Sequence, residues 1–187
     1  MSRTSAGAAK ASTSSRLQNH FELFGLAPAY ALDVEALERS YREIQSKVHP
    51  DRFASSGDAE RRASLQWTTR VNEAYRTLKS PLRRAIHLLE LQGIDVGFET
   101  NTSMPAGFLM QQMELREALE RAVHGKNLKS LEALSENLSR DKRDLERQIG
   151  ERIDAQKDYA RAAGLVRELM FLEKFEAEID SAYEAVE

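Results

Sequence analysis

Apolar residues recur at intervals of three and four over most of the chain, which is the spacing of helices with one buried face. The segment between Asp33 and Pro50 shows it most clearly. Asp33 is a suitable N-cap, and Pro50 ends the helix because the residue before a proline disfavours helical backbone. We therefore predict a helix whose buried stripe, about 80° wide at roughly 100° per residue, consists of Val34, Leu37, Tyr41, Ile44 and Val48.

A second helix is predicted after the polar segment RFASSGD, with Asp58 as its N-cap and Ser80-Pro81 as its end. Two such helices joined by a short segment form an antiparallel hairpin with a charged loop at its tip. Short apolar helices flank the hairpin in NHFELFGL, which Gly25 and Pro28 end, and in RRAIHLLEL. The buried stripe predicted for the second helix consists of Ala63, Trp67, Val71, Ala74 and Leu78.

The second half of the chain predicts three longer helices, over 106–124, 127–152 and 157–186, which break at His124-Gly125 and near Asp154. Three amphipathic helices with short connections form an antiparallel bundle. The buried face of the middle helix consists of Leu128, Leu131, Leu138, Leu145 and Ile149. That of the last helix consists of Leu165, Leu169, Leu172, Ile179 and Tyr183.

The predicted fold is therefore all-α, with an N-terminal helical hairpin and a C-terminal bundle. Residues 93–105 are the expected linker, and residues 1–18, mostly Ser, Ala and Thr, read as a disordered tail. Composition agrees, since Ala and Leu number 46 whereas Val, Ile and Thr together number 20. A net charge of −3 and the lack of a long apolar run give no attraction for nucleic acid and no membrane span.

Candidate chemistry is sparse in this sequence. The chain has no Cys, which excludes disulfides, zinc fingers and cysteine nucleophiles. The four histidines are scattered without metal-ligand spacing, and no Gly-rich phosphate loop occurs. His49 and Asp51 could in principle act as acid and base, but no second polar cluster accompanies them. We expect no enzymatic activity, no metal and no cofactor.

Two features suggest contacts with other proteins. His49, Pro50 and Asp51 form the tip of the hairpin, beside a solvent-facing basic side of the first helix; the plainer interpretation is that they merely make a turn.

The helix at 106–124 has a core face (Phe108, Leu115, Leu119, Ala122) and, in addition, apolar residues away from it. Phe171 lies off the stripe of the last helix in the same way. These residues either bind a partner or pack on the hairpin or on one another. The residues of this second face are Leu109, Met110 and Met113, alongside Glu114 and Glu117.

Several motifs occur in the order of a known family. LFGL, HPDRF and VNEAYRTLKSPLRRA resemble a J-domain over residues 19–80, and J-domains dock on DnaK-type chaperones to stimulate ATP hydrolysis. SPLRRAIHLLEL, GFLMQQMELREAL and AAGLVRELMFLEKF extend the resemblance to the HscB-type co-chaperones of iron–sulfur cluster assembly. These proteins fuse a J-domain to a three-helix bundle that binds the cluster scaffold IscU. The resemblance implies a J-domain with its following helix at 19–92 and a scaffold-binding bundle at 106–187.

The resemblance also assigns two sets of partner-binding residues. An HscA- or DnaK-type chaperone is expected to bind His49, Pro50, Asp51, Arg39, Arg42, Lys47 and Arg52. The scaffold is expected to bind Leu109, Met110, Met113, Glu114, Glu117 and Phe171.

Departures from the family pattern are few. Val48 replaces a common Tyr and Arg52 a common Lys, and both keep the character of the site. Without Cys, the chain lacks the zinc module of many mitochondrial relatives and resembles the bacterial form. We expect a cytoplasmic monomer; a mitochondrial protein with a transit peptide in residues 1–18, or a J-domain protein with an unrelated client, are the alternatives.

Overall fold

The computed structural model describes residues 19–53, 57–97 and 104–186, and the regular structure in these ranges is entirely helical, as predicted. No helix in them is both long and apolar enough to cross a membrane. The predicted tail 1–18 and residues 98–103 of the predicted linker lie outside the described residues. The helices are α1 (His20–Leu23), α2 (Val34–Val48), α3 (Asp58–Lys79), α4 (Pro81–Leu91), α5 (Ala106–His124), α6 (Leu128–Gly150) and α7 (Tyr159–Val186).

The two hairpin helices begin differently. The Asp33 carboxylate accepts a hydrogen bond from the Ala36 N–H at 2.9 Å, which confirms the predicted cap of α2. The prediction that Asp58 caps α3 is wrong, because Gly57 occupies the cap position and makes no side-chain bond there. Asp58 is instead the first helical residue, and its carboxylate pairs with Arg61. Its negative charge also interacts favourably with the positive end of the helix dipole.

The hairpin buries most of its predicted stripe, but its ends are open. Leu37, Val71, Ala74 and Leu78 are fully buried. Ala63 and Trp67 were predicted to be buried and are exposed, as is Val34 at the start of α2. Val48, the end of α2, lies opposite Ser64 and Thr68. The four-residue α1 is too short to cover the N-terminal half of α3. The apolar spacing of α3 therefore predicts more buried residues there than the structure has.

The C-terminal helices form the expected three-helix bundle around α7. The predicted faces of α6 and α7 are buried or half-buried, except that Leu128, the first residue of α6, is exposed. The break near Asp154 is a π-helical turn over Glu151–Gln156. Lys157 ends this turn with a left-handed φ of 54°, and the reversal lets α7 return along α6.

The N-terminal helices pack on the bundle mainly through α4, which contacts α7 and α6. Tyr30, in the segment between α1 and α2, is buried in this seam. The buried Arg84 of α4 donates from Nη1 to the Leu78 carbonyl at 2.7 Å and lies 5.1 Å from the centre of the Tyr30 ring. On the bundle side, the Tyr30 ring lies against Gly150 of α6, so this ring contributes to the packing between the two halves.

Two candidate interaction surfaces

The residues His49, Pro50 and Asp51 form a turn at the end of α2, called the HPD turn below, in which the side chains of His49 and Asp51 are exposed. His49 leaves the helix with φ −57° and ψ 131°, as expected before a proline. The N–H of Asp51 donates to His49 Nδ1 at 3.3 Å, and the N–H of Arg52 donates to the His49 carbonyl at 3.0 Å. The Asp51 carboxylate is 90% exposed and lies 3.5 Å from His49 Nδ1. The turn thus presents an imidazole and a carboxylate side by side to solvent.

Contacts from both sides hold the HPD turn in place. Ser64 Oγ and Thr68 Oγ1 on α3 donate to the Val48 carbonyl at 2.6 and 3.1 Å. The Arg52 guanidinium donates to the Ser46 carbonyl at 2.9 Å, so this predicted chaperone-binding residue also caps the end of α2. The role of Ser64 and Thr68 was not predicted; the signal was two hydroxyl residues spaced by four on the inner side of α3.

The basic face of α2, formed by Arg39, Arg42 and Lys47, points to solvent as predicted. Acidic neighbours accompany it. Lys47 Nζ lies 2.6 Å from the Glu43 carboxylate, and this hydrogen bond lowers the pKa of Glu43. Arg39 lies 3.7 Å from Glu35 one turn earlier. Exposed pairs of this kind contribute little to stability, so these side chains are free to exchange partners on docking.

Leu109, Met110 and Met113 form an apolar patch on the outer side of α5. Their exposed fractions are 47%, 64% and 64%, the latter two the largest among the exposed large hydrophobic residues described. Glu114 and Glu117, also exposed, lie on the same helix. These exposed fractions place Leu109, Met110 and Met113 outside the core of the bundle.

Phe171 differs from the three patch residues. It was expected on the same exposed surface, but its ring is half-buried against the core. The Phe108 ring meets it edge to face at a centroid distance of 5.8 Å, and the Arg116 guanidinium lies 5.3 Å from its centre. Arg116 is in turn 3.6 Å from Glu178 on α7. Phe171 therefore links α7 to α5 and presents only part of its ring to solvent.

The basic face and the apolar patch lie on helices, and the HPD turn directly follows one of them. The described residues contain no group of three or more His, Asp or Glu side chains placed to share a metal ion. An exposed apolar patch or an exposed cluster of charges is typical of contacts between proteins.

Comparison with known proteins assigns the family. The model of the HSCB C-terminal oligomerisation domain matches residues 104–180. A co-chaperone protein HscB homolog from Burkholderia thailandensis is 50% identical over 169 residues, which cover 90% of this chain and 96% of the relative. The structure of chaperone HscB from Vibrio cholerae matches with a TM-score of 0.80 and 37% identity, covering 91% of this chain and all of that one.

The likeness extends beyond bacteria. Human co-chaperone protein HscB matches with a TM-score of 0.83 and 25% identity, covering 88% of this chain and 82% of that one. These matches span the hairpin, the bundle and the seam that joins them. The chain belongs to the HscB family of J-domain co-chaperones, which serve iron–sulfur cluster assembly.

Proposed function

We propose that this protein stimulates the ATPase of an HscA- or DnaK-type chaperone through its HPD turn and basic face, and delivers an IscU-type scaffold through its apolar patch. ATP hydrolysis then belongs to the chaperone and cluster chemistry to the scaffold. The protein itself contributes two weak contacts, which together raise the effective concentration of scaffold at the chaperone.

The exposed HPD turn is the observation that carries this proposal. A buried turn of the same sequence would be a structural feature, whereas here the Asp51 carboxylate is almost fully exposed and lies 3.5 Å from His49 Nδ1. A carboxylate in this position can pair with an arginine of the chaperone, since Arg and carboxylate form strong bidentate bonds. The basic face would steer an acidic surface of the same partner into contact.

The apolar patch supports the scaffold half of the proposal. Three flexible apolar side chains on one turn and a half of α5 offer an adaptable contact surface, and Met is over-used at such surfaces. The exposed part of Phe171, with Glu114 and Glu117, would complete the contact with the IscU-type scaffold.

We also propose that 19–92 and 106–187 act as separate domains of a monomer, and that the location is cytoplasmic, as the bacterial relatives suggest.

The test is a chaperone ATPase assay with purified chaperone, IscU and this protein. We expect the wild-type protein to stimulate hydrolysis, and IscU to increase it further. His49→Gln and Asp51→Asn should each abolish stimulation with little change in helicity or melting temperature, because both side chains are exposed.

The control is Asp180→Asn, which removes an exposed acid on α7. Normal stimulation by both turn variants would contradict the chaperone assignment. If the turn variants behave as expected but wild-type protein does not bind IscU, the client is a different protein.

A further inference from the structure

The carbonyl of Val48, the last residue of α2, accepts two hydrogen bonds from side chains of α3. Ser64 Oγ is the donor at 2.6 Å and Thr68 Oγ1 the donor at 3.1 Å. The two donors are four residues apart, so their side chains lie one above the other on the same side of the helix. The peptide that carries this carbonyl joins Val48 to His49, and the two hydroxyls therefore hold the first peptide unit of the HPD turn.

The burial of Ser64 shows that its hydroxyl has a specific task. Ser64 is only 5% exposed, in a position where Ala would give a better helix former and an apolar contact. The last carbonyls of a helix have no partner within the helix, and a carbonyl left unpaired away from water is costly. Ser64 and Thr68 supply partners from a neighbouring helix, which ties the end of α2 to α3 in one orientation.

Bonds inside the turn have a different effect. The Asp51 N–H bond to His49 Nδ1 and the Arg52 N–H bond to the His49 carbonyl fix the shape of the turn. They do not fix its direction relative to α3. A hydrogen bond weakens steeply as its donor and acceptor lose alignment, so the bonds from Ser64 and Thr68 define that direction.

We infer that Ser64 and Thr68 are positioning residues for chaperone coupling, which aim the HPD turn and contact no partner themselves. The inference rests on the proposed function. It predicts an effect on how well a bound co-chaperone stimulates the ATPase, because the basic face that brings the chaperone into contact lies on the opposite side of α2 and is unaltered.

The experiment measures chaperone ATPase rate against co-chaperone concentration for wild type and for Ser64→Ala/Thr68→Val. We expect the maximal stimulation to fall roughly fivefold to tenfold, while the half-saturating concentration changes by less than about twofold. Thr68→Ser keeps the hydroxyl and should retain the wild-type maximum. Thr69→Val is the matched control, because Thr69 Oγ1 makes a similar bond, to the Leu65 carbonyl at 2.9 Å, on the exposed side of α3.

Each outcome has one meaning. If wild-type protein does not stimulate the chaperone, the proposed function fails and the inference fails with it. If wild type stimulates and the folded double variant reaches the same maximum, the inference alone is overturned. Should circular dichroism show the double variant to be unfolded at the assay temperature, the pair Thr68→Val and Thr68→Ser decides, and equal maxima for these two would overturn the inference.

Discussion

The carboxylate of Asp154 accepts a hydrogen bond of 2.8 Å from the backbone N–H of Tyr30, 124 residues earlier in the chain. Its other oxygen accepts a bond of the same length from the N–H of Ala31. Asp154 lies in the π-helical turn after α6, so one side chain of the bundle captures two consecutive amides of the segment between α1 and α2. This clamp joins the segment before α2 to the bundle, in addition to the packing of α4 on α7 and α6.

Removal of the clamp should weaken the joint between the two halves. Asp154→Ala leaves both amides without their charged acceptor, so we expect the free energy of unfolding to fall by about 2 kcal/mol. Urea unfolding followed by circular dichroism measures it. Asp180→Ala, an exposed acid on α7, is the control and should change stability by less than about 0.5 kcal/mol. Equal stability of the two variants would show that the clamp contributes nothing.

Gly150 should not tolerate a side chain, although it lies in a helix. A Cβ at this position would come within 2.9 Å of Cδ1 of the buried Tyr30 ring. Gly150→Ala should therefore destabilise the protein by about 1 kcal/mol or more, because the steric cost exceeds the gain in helix propensity. Gly107→Ala in α5 is the matched control, since a Cβ added there would meet no atom within 4 Å, and it should raise the melting temperature. A rise for both variants would be incompatible with tight packing at Tyr30.

Stability should decrease in mild acid because of two stacked histidines. The rings of His20 and His87 lie 4.3 Å apart, and His87 Nε2 accepts a bond from the His20 N–H at 3.4 Å. Burial lowers the pKa of both, and for His20 the charge of His87 lowers it further, against smaller raising effects of Glu73 and Glu90. Because the unfolded state then binds more protons, the stability contributed by the two neutral histidines is fully present above pH 6.5. It is lost as the pH falls from 6.5 through the pKa values of the folded state.

Urea unfolding at pH 7.5, 6.5 and 5.5 tests this dependence. The free energy of unfolding of wild type should fall towards the lowest pH, because both pKa values are lowered in the folded state. His87→Phe keeps a stacked ring without a titrating group, and its stability should vary less over the same range even if it is lower throughout. An equally steep decline in this variant would show that His87 is not the acid-sensitive group.

The apolar patch should matter for binding and not for folding. Leu109, Met110 and Met113 are largely exposed, so changing all three to Ala should leave the melting temperature nearly unchanged and weaken IscU binding by at least tenfold, roughly the loss of one good contact. Leu128→Ala is the matched control, because Leu128 is 45% exposed on a different helix, and it should bind normally. Full-strength IscU binding by the triple variant would move the scaffold site elsewhere.

Phe171 needs a separate variant because it also supports the bundle. Phe171→Ala should cost stability as well as binding, since the ring packs edge to face on Phe108 and under Arg116. Phe171→Leu retains much of the buried volume and isolates the aromatic contribution to scaffold binding. Thermal melting and calorimetric titration of the same samples separate the two effects. An unchanged melting temperature for Phe171→Ala would mean that the ring is not part of the core.

The sequence by itself determined the helices, because their apolar spacing and their stop signals are local. Asp33 begins α2 and Pro50 ends it through interactions within a few residues of each helix end. The prediction of this helix therefore needed no knowledge of the fold. The same local order placed the HPD turn at the tip of a hairpin. The exposure of Met110 and Met113 followed from their place on a helix whose other face already serves the core.

Tertiary structure decided everything that depends on residues distant in sequence. Periodicity marks Trp67 as buried, but whether a neighbour covers it depends on the length of α1 and the end of α2. Nothing in the local sequence marks Ser64 as important, because its acceptor, the Val48 carbonyl, lies on another helix. Asp154 lies in a segment predicted only as a break, and its partners at Tyr30 and Ala31 are 124 and 123 residues away. Such contacts arise only when packing brings the two halves together, because polar groups find distant partners according to the fold and not according to local spacing.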